Sequence, residues 1–89
     1  MRYEISWSRQ ARQALSSQLP EAVAAACVEF VLGTLAASPY RVGKPLREPH
    51  QALHSARRGE FRVIYEIDKG SILVPGVSIR HRRDAYRPG

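Results

Sequence analysis

Twelve of the fourteen basic residues in this 89-residue chain are arginine, and their distribution is uneven. Between positions 41 and 62, six basic residues (Arg41, Lys44, Arg47, Arg57, Arg58, Arg62) stand against two acids, a net +4. From position 78 onward Arg80, Arg82, Arg83 and Arg87 stand against Asp84, a net +3, so all of the excess in the overall +6 lies in two stretches. A guanidinium is a planar fork that matches a phosphate and stacks on a base, whereas lysine offers a hydrated point charge. Such a surface expects a polyanion, of which nucleic acid is the commonest. The plainer alternative is a solvated basic surface with no partner.

One reaction suits this inventory. In metal-independent RNA cleavage the 2′-OH attacks the adjacent phosphate and the 5′-oxygen leaves. The site needs a cation on the pentacoordinate phosphate, an acceptor for the 2′-OH proton and a donor for the leaving oxygen. Arginine does not give up its proton, so Arg62 and its neighbours can only stabilise charge. Proton traffic then falls to His81, to Tyr86, or to both. Imidazole titrates near neutrality, and a tyrosine among arginines can have its phenolate favoured.

Other chemistries find little support. The chain has no GxGxxG, P-loop, CxxC, HExxH or nucleophile elbow, and its acids are scattered singly, so no metal and no cofactor are expected. His81 and Asp84 are three apart but lack a third ligand nearby. Cys27 lies in an apolar stretch and reads as a small core residue, and Tyr65 shares the parity of Phe61 and Val63 and reads as core.

The positioning elements follow from periodicity. FRVIYEI, residues 61–67, alternates so that Phe61, Val63, Tyr65 and Ile67 share one face and Arg62, Ile64 and Glu66 the other, which pins Arg62 on a strand. The segment 56–60 reads as a turn before it, residues 51–56 as the strand feeding the hairpin, and Asp68-Lys69-Gly70 as a tight antiparallel turn after it. Residues 72–79 make a last strand, with a bulge or open edge expected at Pro75 and Gly76. Upstream, Arg2 to Trp7 alternates as a strand and Ser8 N-caps a helix to about Gln18. Pro20 and Glu21 open a second helix to about Ala37, and residues 38–49 read as loop. The sum is one α+β domain over residues 1–89, β-α-α-β-β-β. Its antiparallel sheet of about four strands carries a helical hairpin on one face and leaves the face with Arg62 open.

A composition of 44% hydrophobic and 25% charged residues is that of an ordinary globular protein. The single cysteine excludes an internal disulfide and suits a reducing compartment. No signal peptide is visible before the first strand, and the most apolar run, residues 23–32, is too short for a bilayer and contains Glu29. A cytoplasmic protein without a membrane partner is expected.

With these residues in hand, the chain resembles the RelE/ParE toxin superfamily of bacterial toxin–antitoxin modules. The resemblance is carried by KPLRE (residues 44–48), HSARRGEFRVIYEID (54–68) and HRRDAY (81–86), in that order, and it spans nearly the whole chain. It implies a ribosome-dependent endoribonuclease that cuts messenger RNA and inhibits translation, neutralised by a cognate antitoxin. By position it places transition-state stabilisation on Arg62 and on Arg82, with Arg80 as the competing alignment, and the late tyrosine and histidine on Tyr86 and His81. Lys44, Arg47, Arg57, Arg58, Arg80 and Arg83 would hold RNA. One departure stands out: well-known members carry lysines on the strand before the hairpin, where this chain has Leu53 and Ser55. The resemblance also allows operator DNA as a partner of the toxin–antitoxin complex. A rival reading is a ParE-like toxin that inhibits DNA gyrase and cleaves no RNA, against which the tail RHRRDAY argues. A third is a harmless basic DNA-binding accessory protein.

Overall fold

The computed structural model describes residues 2–46 and 53–79. Strand β1 (Glu4–Trp7) runs into helix α1 (Arg9–Gln13), which continues without a break as a π-helical turn over Ala14–Gln18. Ser8 caps it as expected: its Oγ accepts from the Ala11 N–H at 3.0 Å. The π turn is closed by the Leu19 N–H donating to the Ala14 carbonyl at 2.9 Å, five residues back. Helix α2 (Glu21–Phe30) starts behind Pro20 and also passes into a π-helical turn, Val31–Leu35, before ending at Ala37.

The expected loop over 38–49 contains structure. Pro39–Val42 forms a short helix, α3, and Lys44–Pro45 forms a two-residue strand, β2. Neither is long enough to show a period, and three prolines in the segment mask both. The remaining strands are β3 (Leu53–Arg58), β4 (Phe61–Asp68) and β5 (Ser71–Ile79). Arg57 and Arg58 therefore lie on β3 instead of in the turn, which is confined to Gly59 and Glu60, with Gly59 at φ +57°. The β4–β5 turn has positive φ at both Lys69 and Gly70, the geometry that matches strand twist.

The α+β class holds, but among the described residues the sheet has five strands in the order β1-β5-β4-β3-β2, and it is mixed. β1 pairs parallel to β5, and the other neighbours are antiparallel. Parallel pairing requires a long connection, which the helices and the rest of the sheet provide. The bulge falls where Pro75 suggested: Ile64 pairs with Gly76 but Glu66 with Leu73, so Tyr65 faces the extra residue of β5. The proline thus occupies a place that has no ladder bond to lose.

The helices cover one face of the sheet. Ala11, Ala14, Cys27, Phe30, Val31 and Leu35 pack against Phe61, Val63, Tyr65, Ile72, Val74 and Val77. After the bulge β5 changes parity, so Val77 is directed inward as Ile72 and Val74 are. The opposite face carries no helix among the described residues.

Candidate functional site

Arg62 stands exposed on that open face, between the buried anchors Phe61 and Val63. The ladder places Arg57 of β3 directly opposite it on one side and Ser78 of β5 on the other, so the three share one transverse row. Like charges directly opposite each other across two strands destabilise a sheet. Their placement here makes sense if the row meets an anion.

The next row along the strands reaches β2 and contains Lys44, paired with Ser55, which in turn faces Ile64. Lys44, Ser55, Arg57 and Arg62 line a cleft of about 460 Å³ together with Gly43 and Leu46. Tyr65 lies against Gly43, one of the residues that line the cleft. Fully buried, it donates from its hydroxyl to the Pro39 carbonyl at 2.6 Å, tying α3 to the sheet. Gly43 sits so close that a Cβ there would lie 2.8 Å from the Ser55 carbonyl and collide with the Tyr65 hydroxyl. Burial raises the Tyr65 pKa above its ordinary value, and a backbone hydrogen bond from Gly43 partly opposes that rise. Tyr65 is therefore a neutral donor holding the cleft together, as its core reading required.

Arg58 does not join this set. It pairs with Phe61 on the helix-covered side, and its guanidinium lies over the Phe30 ring at 5.0 Å. Arg58 therefore lies on the opposite face from Arg57, because consecutive side chains on a strand alternate. His54, on the same side as Arg58, stacks on Tyr65 with centroids 5.4 Å apart. Cys27 is fully buried, and burial pushes its thiol up to about 11, so it is a packing residue and not a nucleophile. Among the described residues no three His, Cys, Asp or Glu side chains group as metal ligands, and no helix is long and apolar enough to cross a membrane.

Arg47, Arg80, His81, Arg82, Arg83 and Tyr86 lie outside the described residues. Two positions on the open face were not among the candidate site residues of the sequence, Ser55 and Ser78. Each is legible only once the register is known, because a lone serine in a strand carries no signal of its own.

An open sheet face bearing a row of guanidiniums beside a cleft, backed by two helices, defines a small α+β protein suited to polyanions. The match to known proteins makes this specific. Residues 5–86 fit the model of the ParE toxin of the type II toxin–antitoxin system parDE, and the chain belongs to this RelE/ParE toxin family. It is 54% identical over 70 residues to "Toxin RelE" of Mycobacterium tuberculosis, an alignment covering 79% of this chain and 72% of the relative. It is 42% identical over 87 residues to "Toxin RelG" of the same organism, covering 98% and 99% respectively. The fold superposes with a TM-score of 0.85 and 39% identity on a chain of the toxin–antitoxin complex RelBE2 from M. tuberculosis, covering 90% of this chain and all of that one. The protein is a RelE-type toxin of a type II toxin–antitoxin system.

Proposed function

We propose that this toxin is a metal-independent endoribonuclease that cleaves messenger RNA, with the ribosome positioning the substrate, and so inhibits translation. The observation that carries the reading is the row Arg57–Arg62 beside Lys44, which lines a cleft on the sheet face that bears no helix among the described residues. Arg62 neutralises the charge that builds on the phosphate as the 2′-oxygen attacks. A donor fixed on a strand needs little reorganisation at that moment, and for this reason such groups contribute heavily to catalysis. Arg57, Lys44 and Arg47 hold the backbone on either side, and the tail supplies Arg82 to the phosphate, His81 and Tyr86 for protons, and Arg80 and Arg83 for RNA contacts. Arg58, turned toward the helices, is left out of the RNA surface.

A cognate antitoxin completes the proposal. The RelBE2 relative is a toxin–antitoxin complex, and an acidic segment laid over the Arg57–Arg62 row would block the substrate. The complex, and not the free toxin, would bind operator DNA. Location in the cytoplasm follows from a messenger RNA substrate.

The test is a translation reaction programmed with a defined message. Wild type should generate discrete 3′ ends on it, and Arg62→Ala should reduce their rate by about 10²–10³-fold. Equal cleavage by the two proteins would remove the assignment. The matched family model describes a ParE toxin, which favours a second reading in which the same fold inhibits DNA gyrase. Inhibition of supercoiling with the message left intact would establish that reading instead.

A further inference from the structure

Within the ribonuclease reading, we infer that Lys44 is more than an RNA contact: its ammonium group donates the proton that the leaving 5′-oxygen needs. When the O2′–P bond forms and the P–O5′ bond breaks, the electron pair of the latter ends on O5′. That alkoxide must collect a proton from a group touching the phosphate. The group must hold its proton at neutral pH and be able to release it in the transition state.

Among the described residues that line the cleft, few groups satisfy this. Arg57 and Arg62 hold protons but do not release them. Ser55 is an alcohol, no more acidic than the alcohol being expelled, so transfer from it has no driving force. Tyr65 is fully buried behind Gly43 and does not line the cleft, and its hydroxyl is committed to the Pro39 carbonyl. Lys44 is exposed, lines the cleft and carries an ammonium group, which is a far stronger acid than an alcohol. Proton transfer from it to an alkoxide runs downhill.

The local fold is built to present this one side chain. β2 has only two residues, and the one that shares the outward face with Ser55 is Lys44. The strand is held at one end by Gly43 pressed against Tyr65 and Ser55, and at the other by the Leu46 N–H donating to the Leu53 carbonyl at 2.8 Å. Lys44 lies two strands and two residues from Arg62, a Cα separation of about 12 Å from ordinary strand spacings. An extended lysine and an extended arginine together span that distance from opposite sides of a single phosphodiester. The tail is then left with the complementary task of accepting the 2′-OH proton.

A substrate whose leaving atom needs no proton separates this role from binding. The message in the programmed translation reaction would carry, at its mapped cut site, a bridging 5′-phosphorothiolate, whose sulfur departs as a stable thiolate. Lys44→Arg keeps the charge but cannot donate the proton. It should bind RNA as wild type does, cleave the ordinary message about 10²-fold more slowly, and recover to within several-fold of wild type on the thio substrate. Lys44→Arg cleaving the ordinary message at the wild-type rate, or being impaired equally on both substrates, would overturn the proposal while leaving the ribonuclease reading standing. A wild-type protein that cleaves neither substrate would overturn both.

Discussion

The Arg57–Arg62 pair sets stability against function at single positions. Two guanidiniums directly opposite on neighbouring strands repel, and among the described residues no helix lies over them. Replacing Arg57 by alanine removes that repulsion, so the variant should be more stable than wild type by roughly 0.2–1 kcal/mol while binding RNA more weakly. Urea unfolding read alongside RNA affinity checks both halves. Lower stability for Arg57→Ala would mean that the side chain is held by contacts and is not a tolerated liability. At this scale the sequence was uneven in what it disclosed. The alternation of FRVIYEI was enough to place Arg62 outward and Tyr65 inward, because period 2 is unambiguous over seven residues. Arg58 escaped because Arg57 and Arg58 read as turn, and a turn residue has no assigned face. The relation of Lys44 to Arg62 was beyond reach, since it depends on two register facts and not on any local pattern.

At the scale of elements, Ser8 joins two features that are far apart in the chain. Its Oγ accepts from Ala11 at the start of α1 and donates to the Pro75 carbonyl at 2.9 Å, and its N–H donates to the Val74 carbonyl at 3.1 Å. The bulge on β5 is thus fastened to the first helix, and the bulge sets the parity that leaves Ser78 outward beside Arg62. Ser8→Ala loses the cap and one of the two bonds to the bulge, a cost of about 1–2 kcal/mol. For a chain of this size that is a fall in Tm of roughly 5–15 °C. Message cleavage well below the melting range should change less than threefold, because the backbone bond from Ser8 still holds the bulge. A larger loss of activity at unchanged Tm would mean that the hydroxyl acts on the site itself. Ser8, Pro20 and the Pro75–Gly76 interruption were all legible beforehand, since each is a local chemical signal with one structural meaning. The parallel partner of β1 and the existence of β2 were not. No residue within a strand records its neighbour's direction, and two residues with a proline have no periodicity.

Seen as a whole, the open face is graded along its strands. Arg57 and Arg62 occupy one end, Lys44 and Ile64 the next row, Leu73 and Glu66 the row after, and Glu4 and Asp68 the other end. The separation of Glu4 from Arg62, read along β5 from Ser71 to Ser78, is about 20 Å. At physiological ionic strength fields between exposed charges fade within about 8 Å, so the acidic end neither weakens the cleft nor competes for its phosphates. It instead repels any strand that would lie across the whole face, which restricts the RNA to the Arg62 end. Affinity for a short single-stranded RNA, with 2′-O-methyl groups to prevent cleavage, should therefore fall steeply with salt. Lys44→Ala or Arg57→Ala should each reduce the slope of log affinity against log salt by about 0.7, the loss of one phosphate contact. Glu4→Gln, which raises the net charge by one at the far end, should leave both slope and affinity at 0.15 M salt unchanged. An affinity gain from Glu4→Gln equal to the loss from Lys44→Ala would show that total charge, and not the arrangement of this face, governs how the toxin holds RNA.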